Sequence, residues 1–114
     1  MTAPPDVSAA LAAAVRTRGL PVRQGLLWTT DAPYRETASA VAQHRAQGVV
    51  AVEMQAASLF AFGAARGCPV GVAAHVTNLV GRDAASFDKG PVDSDRRLFE
   101  ALCDAGWRLV EGSR

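Results

Sequence analysis

The sequence predicts an α/β fold in which a central, mostly parallel sheet is flanked by helices in three layers. Alanine-rich segments with helical spacing alternate with short valine-rich runs, and this alternation is typical of parallel strands joined by helical crossovers. The 114 residues suffice for one domain with one core. A hydrophobic fraction of 49% and a net charge of +1 exclude a disordered chain and a strongly basic arm for nucleic acid or membrane.

The first helix is predicted to begin at Asp6 or Ser8, either of which can cap it, and to end near Arg18. Gly19 follows as a stop signal. The next apolar run, from Val22 to Thr29, predicts the first strand.

The middle of the chain is predicted to form a helix, a strand and a second helix. The helix before this strand covers about Tyr34 to Gln47 and follows a loop that ends at Pro33. The continuous β-branched run Val49–Val52 is typical of a strand buried on both faces. The helix after this strand, Met54 to Arg66, is nearly uncharged and is expected to be packed nearly all round.

The last third is predicted to contain a strand from Pro69 to Val76, a polar loop from Leu79 to Pro91 and a final helix from Asp93 or Ser94 to Val110. The inner face of this helix is expected to carry Leu98, Leu102 and Leu109, with Cys103 in the core at helical spacing from Phe99.

Cysteine usage and the apolar segments bear on the compartment. Cys68 and Cys103 have no CxxC partner or histidine at metal-ligand spacing, so a reducing compartment is expected. The first residues lack the basic and apolar parts of a secretory signal. The apolar stretch Gly48 to Ala65 contains Glu53 and Gln55 and changes its periodicity midway. We therefore expect a cytoplasmic protein with neither membrane nor nucleic acid as a partner.

In parallel sheets ligands bind at the carboxyl ends of the strands, and Glu53 follows the most apolar predicted strand. A carboxylate among apolar neighbours needs a partner. That partner is either a ligand, such as the vicinal hydroxyls of a sugar, or the amino end of the following helix, which a carboxylate can cap. The residue pattern leaves both interpretations open.

Polar residues also follow the other two predicted strands. Thr77 and Asn78 suit either the edge of a nucleobase or an ordinary turn. Thr30, in the loop that ends at Pro33, suits either the wall of a flat ligand site or a turn. Of the histidines, His44 is expected to be solvated, and a second one, on the Pro69–Val76 strand, to be a satisfied core residue.

Three segments in order resemble the purine/uridine nucleoside phosphorylase superfamily. The first is Trp-Thr-Thr-Asp-Ala-Pro-Tyr-Arg-Glu at 28–36. The second, Gly-Val-Val-Ala-Val-Glu-Met-Gln-Ala-Ala-Ser-Leu-Phe at 48–60, is similar to the family's Gly-hydrophobic-Glu-Met-Glu-Ala-Ala signature. Residues 68–78 then match the next strand and its polar end. The resemblance is strongest over 22–81, and residues 1–114 are interpreted as one partial domain, the C-terminal half of a family member.

The resemblance implies an α/β protein that cleaves the N-glycosidic bond of nucleosides with phosphate or water. It places Met54 and Gln55 on the ribose and Asn78 on the departing base. Pro33 falls where an aromatic residue encloses the nucleoside. Glu53, Thr30 and Thr77 complete the expected substrate-binding set.

Departures from the family pattern limit what the resemblance implies. Gln55 stands where the family has a ribose-binding carboxylate, so weaker ribose binding is expected. The family's phosphate-binding glycine and arginines lie in an N-terminal half that has no counterpart in residues 1–21. We expect a nucleoside phosphorylase-like pentosyltransferase that is truncated and inactive alone, with phosphate as co-substrate and no cofactor. The alternative is a non-catalytic nucleoside- or nucleobase-binding module, or a structural remnant. A homo-oligomer or a missing N-terminal partner half is expected to cover its apolar surface.

Overall fold

The predicted α/β class is confirmed by a computed structural model that describes residues 1–80 and 90–112. This part of the chain has four α-helices and a two-stranded parallel sheet. The elements are α1 (Pro5–Thr17), β1 (Leu26–Thr29), a short 3-10 helix (Pro33–Arg35), α2 (Ala38–Ala46), β2 (Val49–Glu53), α3 (Ala56–Arg66) and α4 (Ser94–Gly112). Within these two ranges, no helix combines the length and apolar character needed to cross a membrane.

The buried core lies between the first and last helices. Ala14 and Val15 of α1 pack with Ala101 and Ala105 of α4, and both α4 alanines are 0% exposed. Partly buried residues surround this cluster: Leu11, Leu20, Val22 and Leu98. Because alanine side chains are short, the two helices can approach closely.

Arg18, immediately after α1, joins the two helices by ion pairs. Its Nη1 lies 2.6 Å from Glu100 Oε2 and its Nη2 lies 2.6 Å from Asp104 Oδ2. The hydrogen bond to Asp104, helped by the charges of both carboxylates, raises the pKa of Arg18 against the opposing effect of desolvation. Arg97 donates a further hydrogen bond from Nη1 to the carbonyl of Arg18. The loop after α1 is thus held against α4.

The sheet register positions the candidate site. β1 and β2 are parallel, with Leu27 opposite Ala51, Trp28 opposite Val52 and Thr29 opposite Glu53. The last residues of the two strands therefore lie side by side at the carboxyl edge of the sheet.

Several predicted boundaries at the first two helices are corrected. α1 begins at Pro5 without a side-chain cap, so neither Asp6 nor Ser8 caps it. Gly19 ends it as predicted, with φ of 72°. The second helix begins at Ala38 and not at Tyr34, because the hydroxyl of Thr37 accepts a hydrogen bond from the amide of Ala40 and caps it there.

The strand prediction for residues 22–29 is right only at its end, since β1 covers Leu26–Thr29. The predicted strand Pro69–Val76 is wrong. This segment packs on helices instead of joining the sheet: a Cβ on Gly71 would lie 2.4 Å from Leu11 Cδ1 of α1, and Val70 lies against Gly63 of α3.

Two expectations about packing are also wrong. α3 is not packed all round, because Leu59 is 45% and Phe62 60% exposed. Cys103 is exposed, and Phe99 is 67% exposed. Leu98, Leu102 and Leu109 are half-buried on the inner side of α4. Most of the predicted polar loop, residues 81–89, lies outside the described residues.

Candidate functional site

The Glu53 carboxylate lies at the carboxyl edge of the sheet and accepts three hydrogen bonds. Its Oε1 accepts a hydrogen bond from the hydroxyl of Thr29. Its Oε2 accepts two backbone hydrogen bonds, from Gln55 N at 2.5 Å and Ala56 N at 2.6 Å. The hydroxyl oxygen of Thr29 in turn accepts from Ala57 N at 3.1 Å. One carboxylate and one hydroxyl thus satisfy amides in the first turn of α3.

The pKa of Glu53 is lowered by this arrangement. Burial favours the protonated form and acts to raise the pKa, but the hydrogen bonds from Thr29, Gln55 N and Ala56 N together outweigh it. Glu53 is therefore ionised at neutral pH. The interpretation of Glu53 as a cap for the following helix describes this geometry.

α3 begins two residues later than predicted because of the same contacts. Gln55 occupies the N-cap position with φ of −134°, outside helical geometry. Met54, between Glu53 and Gln55, is 53% exposed, and Gln55 is exposed. The two residues on which the family resemblance places the ribose are thus open to solvent at the end of β2.

Thr30 forms hydrogen bonds that hold the loop after β1. Its backbone amide donates to the carbonyl of Glu53 at 2.8 Å, and its hydroxyl donates to the carbonyl of Ala32 at 3.2 Å. Thr30 is 4% exposed, so its hydroxyl faces the loop interior. Pro33, which begins the 3-10 helix, is exposed.

Two charged residues of this loop form an ion pair. Arg35 Nε lies 2.6 Å from Asp31 Oδ1 on the surface. Its guanidinium carbon also lies 5.9 Å from the centre of the Tyr34 ring, which is itself 80% exposed.

Thr77 and Asn78 lie elsewhere, on a cavity of about 590 Å³ beside β2. Trp28 and His44 line the same cavity, with ring centres 4.1 Å apart and planes 26° from parallel. The expectation that His44 is simply solvated is therefore wrong, because it is half-buried against an aromatic ring. Val52 also lines the cavity, one residue before Glu53.

His75 has the partner expected of a satisfied histidine. Its Nδ1 lies 2.6 Å from Asp95 Oδ1 near the start of α4, and its side chain is 28% exposed. It also lines a larger, mostly apolar cavity of about 1260 Å³ between the sheet, α1 and residues 72–76.

The structure brings some of the predicted site residues together and separates others. Thr30, Glu53, Met54 and Gln55 share the carboxyl edge of the two strands. Thr77 and Asn78 line the neighbouring cavity. Among the described residues, the lining of this cavity includes β2 as far as Val52 but not Glu53. The expected roles of all these residues toward a ligand stay predictions.

Sequence reasoning missed the part played by Thr29. A signal for it was present, because Thr29 and Glu53 both end predicted strands. Parallel pairing in register then places them opposite one another. The stack of Trp28 on His44 had no comparable signal, since it depends on how α2 lies over the sheet.

A comparison with family models matches residues 1–112 to the phosphorylase superfamily. Neither a comparison with curated proteins nor one with solved structures found a match. The family match covers nearly all of the chain and includes the Glu53–Gln55 segment on which the resemblance rests. The chain belongs to the phosphorylase superfamily.

Proposed function

We propose that the chain supplies the nucleoside-binding part of a phosphorylase-type active site, in which phosphate cleaves an N-glycosidic bond. The observation that carries the proposal is the Glu53 carboxylate, held by three donors at the start of α3. This fixes the backbone of Met54 and Gln55 while leaving both side chains exposed at the carboxyl edge of the sheet.

Gln55 and Met54 have the chemistry to hold a ribose. The amide of Gln55 can accept a hydrogen bond from one vicinal hydroxyl and donate one to the other. The Met54 side chain is apolar and flexible and fits the less polar face of the sugar ring. A carboxylate offers about four acceptor positions, and Glu53 uses three. One position, on Oε1, is left for a hydroxyl.

Asn78 is proposed to hold the departing base. Its amide is exposed on the cavity beside β2, where it can pair with a ring nitrogen and a carbonyl oxygen of the base. Thr77, half-buried on the same cavity, adds a hydroxyl. An amide cannot protonate a base, so Asn78 would stabilise the leaving group by hydrogen bonding alone.

In the proposed reaction a phosphate oxygen bonds to the anomeric carbon as the N-glycosidic bond breaks. The base leaves with the electron pair and takes a proton from water, and the sugar carries positive charge in the transition state. Phosphate needs cationic donors to be held in place. Arg35 is near the loop after β1, but it is paired with Asp31. We therefore propose that this chain binds nucleosides and that phosphorolysis requires cationic residues other than those that residues 1–80 and 90–112 hold at this edge of the sheet.

A non-catalytic nucleoside-binding module is the second candidate. Two observations favour it: an amide at Gln55 in place of the expected carboxylate, and the pairing of Arg35. In either case a reducing compartment, the cytoplasm, fits Cys68 and Cys103, since both are free and exposed.

Thermal unfolding with nucleosides tests the proposal. A ligand at ten times its dissociation constant stabilises the folded state by roughly 1.4 kcal/mol, which moves the midpoint by several degrees. Inosine and uridine at millimolar concentration are expected to raise the midpoint, and free ribose less so. The shift should fall in Gln55→Ala and Asn78→Ala but persist in Gln43→Ala, an exposed glutamine on α2.

Phosphate is the second variable of the same experiment. The proposal expects nucleoside binding without phosphate and no release of free base with it. Base release that depends on added phosphate would show a complete active site. It would contradict the proposal that this chain binds the nucleoside but needs other residues for phosphorolysis. No shift with any nucleoside, or equal shifts in all three variants, would overturn the proposal.

A further inference from the structure

The solvent side of α4 carries an apolar stripe, which we define as Phe99, Cys103, Trp107 and Val110. Phe99, Trp107 and Val110 are 67%, 69% and 53% exposed, and Cys103 is exposed. Spacings of four, four and three residues place these side chains on one face of the helix. The core of the protein contacts the other face of α4, through Ala101 and Ala105.

We propose that the stripe is the contact surface for a second copy of this chain, with the two α4 helices antiparallel about a two-fold axis at Cys103. Phe99 and Trp107 lie four residues on either side of Cys103. An antiparallel pair therefore places each Phe99 beside Trp107 of the other copy, and the two Cys103 residues face each other. A two-fold contact requires such a self-complementary surface.

Charges at the ends of the stripe select the antiparallel direction. Arg96 lies before the stripe and Glu111 after it, and both are exposed. The antiparallel pair brings Arg96 of each copy beside Glu111 of the other, whereas a parallel pair brings like charges together. Among residues 1–80 and 90–112, the ion-pair contacts of Arg96 are long, at 3.8 Å to Asp93 and 3.6 Å to Glu100. Its side chain is 67% exposed, so it has donors available for Glu111.

The size of the stripe sets the strength of the contact. Aromatic side chains bury roughly 150–250 Å² each when fully covered, and those of the stripe are about two-thirds exposed. The two copies together would bury somewhat less than the roughly 1,200 Å² of a stable interface. We expect a dimer in rapid exchange, with a dissociation constant in the micromolar range.

The exposed residues of α3 fit a second copy less well. Leu59 and Phe62 give α3 two large apolar side chains on its surface. Arg66 is the one charged residue among the eleven of this helix, so α3 has no pair of opposite charges that would fix a direction. The stripe on α4 has both the symmetric spacing and the charges.

Disulfide trapping tests the arrangement directly. Helix axes 8–10 Å apart with Cα atoms about 2.3 Å from each axis leave roughly 3.4–5.4 Å between facing Cα atoms, which overlaps the disulfide range of about 4.4–6.8 Å. With copper phenanthroline as oxidant, Cys68→Ser is expected to form a covalent dimer. Cys103→Ser is expected to stay monomeric on a non-reducing gel.

Two further sets of variants decide direction and specificity. In a Cys68→Ser, Cys103→Ser background, Phe99→Cys mixed with Trp107→Cys should cross-link, while Phe99→Cys alone should not. In sedimentation, Arg96→Glu or Glu111→Arg should weaken the dimer roughly threefold to tenfold, and the two together should restore it.

A protein that is monomeric at hundreds of micromolar overturns the proposal, as does a dimer that does not cross-link through Cys103. Cross-linking of Phe99→Cys with itself at the rate of the mixture overturns the antiparallel direction. All these changes are on the surface, and circular dichroism of each variant verifies that it is folded.

Discussion

The hydroxyl of Thr29 donates a hydrogen bond to the carboxylate of Glu53, although the two residues are 24 positions apart in the chain. The same hydroxyl accepts from the amide of Ala57 in α3. The ends of β1 and β2 and the first turn of α3 are thus joined through one side chain. We regard this contact as what fixes the candidate nucleoside site.

Replacing Thr29 with valine removes the hydroxyl and keeps the shape of the side chain. The carboxylate of Glu53 and the amide of Ala57 each lose a partner, which is expected to lower the free energy of unfolding by about 1–3 kcal/mol. Thr29→Ser keeps the hydroxyl and serves as the matched control. Urea denaturation of the two variants measures the difference. Equal midpoints for valine and serine would show that the hydrogen bond contributes nothing.

Glu53→Gln is expected to make stability less dependent on pH in the acid range. The folded-state pKa of Glu53 lies below its ordinary value of 4.5. The ionised group therefore stabilises the fold above about pH 4.5, and this contribution is lost as the pH falls through the folded-state pKa. Near pH 7 the variant should be less stable by about 1–2 kcal/mol, because a charged cap is replaced by a neutral one.

The measurement is urea denaturation of Glu53→Gln and the unchanged protein at several pH values from 7 to 3. The difference between the two should narrow on the acid side. A difference of the same size at pH 7 and pH 3 would mean that the charge of Glu53 does not stabilise the folded state.

Gly71→Ala tests the placement of residues 69–76 on α1. An added Cβ would lie 2.4 Å from Leu11 Cδ1 and 2.7 Å from Val7 Cγ1, so the variant is expected to lose about 1–3 kcal/mol of stability through overpacking. Gly106→Ala in α4 is the matched control, because a Cβ there meets no atom within 4 Å. That variant should gain about 0.5–1 kcal/mol from helix propensity.

Thermal unfolding of both glycine variants at low protein concentration, where the chain is monomeric, gives the comparison. If Gly71→Ala is as stable as the unchanged protein, residues 69–76 do not lie on α1. They would then be free to form the strand that their valine-rich pattern predicts.

The sequence predicted the elements whose own residues determine them. The run Val49–Val52 became β2, extended by one residue to Glu53, and Gly19 ended α1. The helix caps were harder to predict. α3 begins at Ala56 because of a carboxylate two positions before its N-cap, and α2 begins at Ala38 because of Thr37. These starting points depend on which of several nearby polar side chains accepts the hydrogen bonds of the first backbone amides of the helix.

Tertiary contacts account for what the sequence could not show. The pattern of Pro69–Val76 is that of a strand, but the segment lies against α1 and α3. A local sequence pattern does not specify which other elements a segment packs against. Similarly, the helical spacing of Cys103 from Phe99 predicts a core position for Cys103. Cys103 faces solvent instead, because α1 packs on the other face of α4, where the short side chains of Ala101 and Ala105 allow it to approach.

Gln55→Glu is the substitution that tests the candidate site most sharply. If Gln55 holds the ribose, the carboxylate should form charge-assisted hydrogen bonds with the vicinal hydroxyls. Such bonds contribute roughly 1.5–3 kcal/mol, against about 1 kcal/mol for a neutral pair, so nucleoside affinity should rise by about twofold to thirtyfold. A 2′,3′-dideoxynucleoside lacks both hydroxyls and should gain nothing. Gln43→Glu, on the exposed side of α2, controls for the added charge.

The central claim is that the exposed residues after Glu53 bind a nucleoside through its ribose, and calorimetric titration measures this directly. Ribonucleoside and 2′,3′-dideoxynucleoside are titrated into the unchanged protein and into Gln55→Glu. The account predicts that Gln55→Glu binds the ribonucleoside more tightly than the unchanged protein does. The substitution should leave the affinity for the 2′,3′-dideoxynucleoside unchanged. Equal affinities in all four titrations would contradict it, and Gln55→Glu would then only stabilise α3 by some tenths of a kcal/mol through the helix dipole.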